Sequence, residues 1–293
     1  MMLCRSALFI PGNNYRAILK SEKIDFDIAI FDLEDAVPVN DKETARIFVR
    51  DAIERLKFNG RKKFVRINSD YDDDLNEIAL RGLDGVMLPK SESERDIRNL
   101  ERKLSRLEDE RNLNEIRIIP LIESARGVMN SFEIASSSDR IVALAFGAVD
   151  YYRTLGRSYF KFSNTQIELL FARSMIVNAA KAAGLKAIDS PFFGMLIDME
   201  GLLKESKLAF QLGFDGKLAI HPNHIKIINE VFSPSKEEFE EARKIVESYE
   251  AAKQRGEGVI TFEGRMVDFA SYKQARDVVE TYLEIERRGE ELK

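Results

Sequence analysis

Apolar residues gather in eight short runs along the chain: "SALFI" (6–10), "IAIFD" (28–32), "KFVRI" (63–67), "GVMLP" (85–89), "IRIIPLI" (116–122), "IVALAF" (141–146), "LKAID" (185–189) and "GKLAI" (216–220). Each has the length of a strand, and most lack the strict alternation of a half-exposed one, which predicts strands buried on both faces. The longer stretches between them mostly carry helical periodicity. "DKETARIFVRDAIERLK" (41–57) places Ala45, Phe48, Val49, Ala52, Ile53 and Leu56 on one face. "NTQIELLFARSMIVNAAKAAG" (164–184) is Ala-rich, opens on a Thr165-to-Glu168 capping box and stops at Gly184. Strand alternating with helix predicts a parallel sheet with crossover helices, and eight such units predict a (β/α)8 TIM barrel. A doubly wound open sheet is the alternative, but no Gly-x-Gly-x-x-Gly follows the first strand.

The pattern changes after residue 232. "SPSKEEFEEARKIVESYEAAKQRG" reads as a surface helix with a Ser235-to-Glu238 capping box and Gly256 as its stop. "GVITFEGRMVD" reads as a hairpin about Glu263-Gly264, and "SYKQARDVVETYLEIERR" as a final charged helix. The expected organisation is a catalytic barrel over 1–232 and a helix-hairpin-helix extension over 233–293 that packs on a neighbouring subunit.

In a barrel the chemistry sits at the C-terminal ends of the strands, and that rule sorts the polar residues. Glu34 and Asp35 follow the second run, Arg66 and Asn68 end the third, and Pro89 and Lys90 end the fourth. Glu123 directly follows the fifth, and Asp150 stands four residues past the sixth. All face one mouth. Arg5 precedes the first strand, belongs to the opposite face, and reads as structural. Within that set "FDLEDAV" crowds Asp32, Glu34 and Asp35 together. Two unit charges about 4 Å apart repel by roughly 4 kcal/mol at an effective dielectric near 20. Something positive has to meet them.

Composition narrows what that can be. The only histidines, His221 and His224, flank Pro222 and so do not share a regular helix face, and Cys4 is the only cysteine. A metal would be held by oxygen, which favours Mg2+ or Mn2+ over zinc. Lys and Arg total 45 against 50 Asp and Glu, a net charge of −5, and no nucleic-acid-binding signature is present. No apolar stretch is long enough to span a membrane, and the N-terminus lacks a signal-peptide pattern. The expectation is a cytoplasmic protein without nucleic-acid or membrane partners.

The segments "RSALFIPGNN", "FDLEDAVPVNDKETAR", "VRIN", "GLDGVMLPKSES", "IIPLIESARGVMN", "ALAFGAVDYYRTLG", "LGFDGKLAIHP" and "GRMVD", in order over nearly the whole chain, resemble the citrate lyase β-subunit family. That family includes malyl-CoA, citramalyl-CoA and citryl-CoA lyases within the class II aldolase group. The resemblance implies a Mg2+-dependent barrel that cleaves or forms a carbon–carbon bond beside a CoA thioester, and a homo-oligomer built on a trimer. Carried over by motif, it implies Glu123 and Asp150 as metal ligands, Glu34 and Asp35 as the acidic pair near the metal's waters, and Arg66 as the substrate arginine. Asp268 in "RMVD" matches an aspartate on a C-terminal segment that closes over a neighbouring active site. One position departs: where the family usually reads Gly-Ala-Glu-Asp, this chain has Gly147-Ala148-Val149-Asp150, so the ligand aspartate is kept and its neighbouring acid is lost.

Retro-Claisen cleavage of a 3-hydroxyacyl thioester explains why such residues are needed. A hydroxyl must lose its proton, an enolate must be stabilised, and the 2-oxo-acid fragment must be held still. Mg2+ takes one or two protein carboxylates and keeps several waters, which suits Glu123 and Asp150, while Arg66 offers a planar fork to the oxyanion. Arg16, Lys20 and Lys23, in the first loop and helix, are candidates for the CoA phosphates, against a plain solvated helix face. The competing readings are a class I aldolase with Lys90 as its Schiff-base lysine, a class II aldolase acting on a free 4-hydroxy-2-oxo acid, and an accessory subunit of a carrier-protein lyase complex.

Overall fold

Each of the eight apolar runs forms a strand. A computed structural model describes residues 2–157, 163, 165–254, 256 and 258–291. In chain order the strands are β1 (Ser6–Pro11), β2 (Ile28–Asp32), β3 (Lys62–Arg66), β4 (Gly85–Leu88), β5 (Arg117–Ile122), β6 (Ala143–Phe146), β7 (Lys186–Asp189) and β8 (Gly216–Ala219). They close in sequence order into a parallel barrel, β1 pairing with β2 from Ala7↔Ile28 to Pro11↔Asp32 and with β8 from Ser6↔Lys217 to Leu8↔Ala219. The helices of this unit are α1 (Tyr15–Ser21), α2 (Lys42–Arg55), α3 (Asp72–Ile78), α4 (Glu94–Arg111), α5 (Ala125–Met129), α6 (Ser131–Ala135), α7 (Ala148–Thr154), α8 (Ile167–Ala182), α9 (Met199–Leu212) and α10 (Ile225–Val231).

The period of two along each strand divides the side chains. Leu8, Ile10, Ala29 and Phe31 join the helix-facing core, where they meet Ala45, Val49, Ala52 and Ile53 of α2. Phe9 and Pro11 on β1, and Leu121 and Glu123 at the end of β5, share instead the cavity at the strand C-termini. At the other end, Arg5 forks onto the buried carboxylate of Asp27 through Nε (3.0 Å) and Nη2 (2.8 Å). It serves the structural role expected.

Two helix ends differ in how they were signalled. Gly184 stops α8 in the left-handed region (φ 74°), its N–H on Lys181 and the Leu185 N–H on Ala180, a Schellman end. The start corrects the expectation. Glu168 accepts from the N–H and hydroxyl of Ser163 (both 2.6 Å) rather than from Thr165, and the helix begins after Gln166, itself left-handed at φ 49°. Gln166 is held there by charges described below. Asn164, the first residue of the expected stretch, lies outside the described residues.

The chain divides into two compact units, 4–232 and 233–293 together with 1–3. The second contains α11 (Lys236–Gln254), the antiparallel pair β9 (Ile260–Phe262) and β10 (Arg265–Val267), and α12 (Phe269–Glu291). Ser235 and Glu238 form the reciprocal cap (2.7 and 3.1 Å), and Gly256 follows α11 at φ 83°. Glu263 and Gly264 both have positive φ (46° and 79°), the type I′ geometry of a two-residue hairpin. Tyr249, Val267 and Tyr272 form a small core of this unit's own, with the two tyrosine rings stacked at 4.8 Å. No helix among the described residues is long and apolar enough to cross a membrane.

Candidate active site

The cavity at the barrel mouth has a volume of about 380 Å³ and is lined from seven of the eight strand ends. Its charged residues are Asp32, Asp35, Arg66, Glu123 and Asp150, set in a wall of Phe9, Leu121, Val149, Phe193, Leu218 and Ile220. Of the polar residues predicted from strand ends, Asp35, Arg66, Glu123 and Asp150 line the cavity, Glu34 and Lys90 stand behind them in ion pairs, Asp32 is an addition and Asn68 an exception.

The addition is Asp32, the last residue of β2. Its carboxylate is 1% exposed and accepts Arg66 Nε at 2.8 Å and Nη2 at 2.6 Å, a two-point fork. It also accepts the N–H groups of Glu34 (2.9 Å) and Ala36 (3.2 Å), so it holds the loop that carries the acidic pair. Arg66 is left with Nη1, 3.2 Å from Glu34 and 3.6 Å from Asp35, and its guanidinium lies over the Phe9 ring at 4.8 Å. Burial works against its charge, but Asp32, Glu34 and Asp35 hold its pKa above the ordinary range. The exception is Asn68. Its amide takes the Lys42 ammonium at 2.8 Å and donates to Leu33 and Asp74, so it braces the β2 and β3 loops and does not line the cavity.

Lys90, just past β4, donates its ammonium to Glu34 at 2.8 Å and its backbone N–H to Glu123 at 2.8 Å. The bond to Glu34 raises the ammonium's pKa. A Schiff-base lysine has to shed its proton, so this geometry argues against the class I aldolase reading. Burial raises the pKa of Glu34, with Lys90 and Arg66 opposing.

Glu123 is 4% exposed, and burial pushes its carboxyl up to about 8, with Glu34 and Asp150 adding to the rise and the Lys90 N–H opposing it. Gly147 permits its position: a Cβ there would stand 2.6 Å from Glu123 Cβ and 2.8 Å from Oε2. The same glycine precedes α7, whose first turn presents Asp150 to the cavity; an exposed arginine, Arg153, reaches Asp150 at 2.9 Å. Five carboxylates thus stand against three cations, Arg66, Lys90 and the exposed Arg153. A buried carboxylate this short of positive charge, facing a second one with no imidazole or thiolate in the lining, fits a hard divalent cation. Glu123 and Asp150 are the residues that would hold it. No group of three or more His, Cys, Asp or Glu side chains is gathered for a metal among the described residues.

Arg16, Lys20 and Lys23 do not line this cavity. They are exposed on and after α1, with no side-chain ion pair among the described residues. Asp268 belongs to the 233–293 unit, is exposed, and caps α12 by accepting the Ser271 N–H and hydroxyl, both at 2.9 Å, which lower its pKa. His221 accepts the Asn223 N–H, and His224 is buried with a ring nitrogen 3.3 Å from the Leu196 carbonyl. Neither lines the cavity.

A family model described as HpcH/HpaI aldolase/citrate lyase matches residues 5–222. The chain is 38% identical over 272 residues to citrate lyase subunit beta of Leuconostoc mesenteroides, covering 91% of this chain and 89% of that protein. It is 32% identical to the mitochondrial citramalyl-CoA lyase of Homo sapiens, covering 92% and 83%. Among solved structures, the CitE protein of Mycobacterium tuberculosis in complex with magnesium, acetoacetate and coenzyme A is 30% identical, with a TM-score of 0.73 over 94% of this chain and 97% of that one.

Proposed function

The chain belongs to the HpcH/HpaI aldolase/citrate lyase family, and from that premise we propose that it is a Mg2+-dependent lyase cleaving a 3-hydroxyacyl-CoA thioester, citryl-, malyl- or citramalyl-CoA, into acetyl-CoA and a 2-oxo acid. It is a carbon–carbon lyase. The observation that carries the substrate reading is the pairing, in one cavity, of two carboxylates suited to a hard cation with a fixed arginine fork.

In this reaction the hydroxyl passes its proton to water in the cavity and the bond from its carbon to the thioester α-carbon breaks. The electron pair passes into the thioester as an enolate, and the α-carbon then takes a proton. Glu123 and Asp150 would hold a divalent ion, which when bound would supply Lewis acidity. Arg66, kept charged and aimed by Asp32, faces the enolate oxygen through Nη1 and stabilises it there. Glu34 and Asp35 accept hydrogen bonds from water around the ion. Asp268 from a neighbouring subunit of a trimer exchanges a proton with the α-carbon, and Arg16, Lys20 and Lys23 meet the CoA phosphates. The named relatives of these kinds, a CoA lyase and a magnesium- and CoA-bound structure, support the thioester and metal assignments.

The lone purified chain, assayed on the three thioesters with Mg2+, should turn over at least one of them and lose activity in excess EDTA. Glu123→Gln and Asp150→Asn should each lose metal affinity while keeping the fold. Full activity in EDTA would refute the metal assignment. Activity only on a free 4-hydroxy-2-oxo acid, or only with other subunits added, would transfer the chain to the aldolase or accessory-subunit reading.

A further inference from the structure

Lys90 is a non-glycine residue in the left-handed region, at φ 52°, a conformation lysine seldom adopts. Such an outlier beside a cavity calls for a reason. Its backbone N–H is aimed at Glu123 Oε1 and its ammonium at Glu34 Oε1, both at 2.8 Å. One residue thus binds two carboxylates of the site through two different donors. The consequence for each is specific. Glu34 has both oxygens engaged, Oε1 by Lys90 and Oε2 by Arg66 at 3.2 Å. Glu123 keeps only Oε2 free, on the side where Gly147 packs.

We propose that Lys90 is a positioning residue that sets the metal preference of the site, by withholding Glu34 from the ion and limiting Glu123 to one oxygen. The proposal rests on the reading of Glu123 and Asp150 as metal ligands. Ca2+ takes six to eight oxygens and readily accepts bidentate carboxylates, whereas Mg2+ keeps several waters and uses one or two carboxylates. A site that offers few protein oxygens therefore favours Mg2+. Releasing Glu34 would add a third carboxylate and turn the site toward Ca2+.

The test is calorimetric titration of the metal-free protein with Mg2+ and with Ca2+, which needs no turnover. In Lys90→Met the ammonium is lost and Glu34 Oε1 is released to reach the ion, while Oε2 keeps Arg66. Ca2+ affinity should rise at least about tenfold more than Mg2+ affinity, because ligand number matters more to Ca2+. In the double variant Lys90→Met/Glu34→Gln the freed side chain is a weak neutral ligand, and the Mg2+/Ca2+ ratio should return to that of the wild type. Should Lys90→Met fail to fold, Lys90→Asn carries the same comparison, since asparagine tolerates the left-handed region. Affinities that move by a common factor for both ions would reduce Lys90 to a plain positive charge and overturn the proposal. So would an unchanged ratio. A wild-type protein that binds neither ion refutes the metal ligands themselves, a different failure that removes the proposal with them.

Discussion

At the scale of single residues, the site is a problem of excess negative charge with two partial solutions, Arg66 and Lys90. Arg66 spends two of its donors on Asp32, and this leaves Nη1 aimed without freedom to search. A lysine in its place keeps the charge but cannot satisfy Asp32 at two points and reach a substrate oxygen as well. Arg66→Lys should therefore lower kcat by about 10²–10³-fold with little change in KM, as expected for an interaction made mainly in the transition state. Unchanged kcat would return Arg66 to a structural salt bridge. Glu123 makes a prediction about protons. Burial lifts its folded pKa to about 8, well above the ordinary carboxylate range, so in the metal-free protein the carboxyl is protonated at neutral pH. Mg2+ binding near pH 7 should release close to one proton, read from calorimetry in buffers of different ionisation enthalpy, and affinity should climb with pH until about 8. The same shift makes metal-free stability fall as pH rises from 4.5 to about 8, because only the unfolded chain ionises there. An affinity flat across that range would contradict the assignment. Glu34, Asp35, Arg66, Glu123 and Asp150 were legible from strand ends and motif, since both speak about position along the chain. Asp32 stood in the same acidic cluster, yet its role was hidden because a fork depends on the register between β2 and β3, Asp32 opposite Arg66, which no single strand displays.

At the scale of elements, the strands were legible because a parallel strand with both faces covered must be apolar for several consecutive residues. What escaped is a buried charge cluster between strands and helices. Lys217 on β8 is fully buried and donates to Asp189 on β7 (2.7 Å) and Glu205 on α9 (2.6 Å). Arg173 on α8, 1% exposed, meets Asp189 at 2.9 Å and Gln166 at 2.8 Å, and Gln166 donates to Glu205 at 2.7 Å. Two cations balance two carboxylates in the interior, and Gln166 is tied in at the helix start. That is why α8 begins at a left-handed glutamine and not at the Thr165 box. Periodicity could not disclose it, because Lys, Arg, Asp and Glu read as surface residues wherever they interrupt an apolar pattern. Lys217→Met should lower stability by about 3–5 kcal/mol, because it leaves Asp189 and Glu205 buried with one cation between them. The measurement is a denaturant midpoint at constant m-value. A loss below about 1 kcal/mol, the range of exposed pairs, would mean that the interior accommodates the imbalance.

At the scale of the whole molecule, the barrel presents its cavity at one end, and the proposed proton donor to carbon lies in a different compact unit. Within 233–293, Tyr249, Val267 and Tyr272 form a core, and Phe239 stacks on Tyr282 at 4.3 Å. Val259, Met266, Phe269 and Leu283 remain exposed on this unit. Asp268 is at a helix start and solvent-exposed, free to be buried by something else. A head-to-tail ring of identical chains would bring each such unit to a neighbour's cavity and exclude water from the enolate. The decisive experiment mixes two chains, Asp268→Asn and Glu123→Gln, each expected to be nearly inactive alone. Refolded together with random pairing, about a quarter of shared sites should combine a wild-type Glu123 with a wild-type Asp268 from different chains, and activity should return in that proportion. If Asp268 acts within its own chain, every site in the mixture carries one defect and the mixture stays as inactive as its parents. Sizing the mixed oligomers first makes that silence decisive against the shared site.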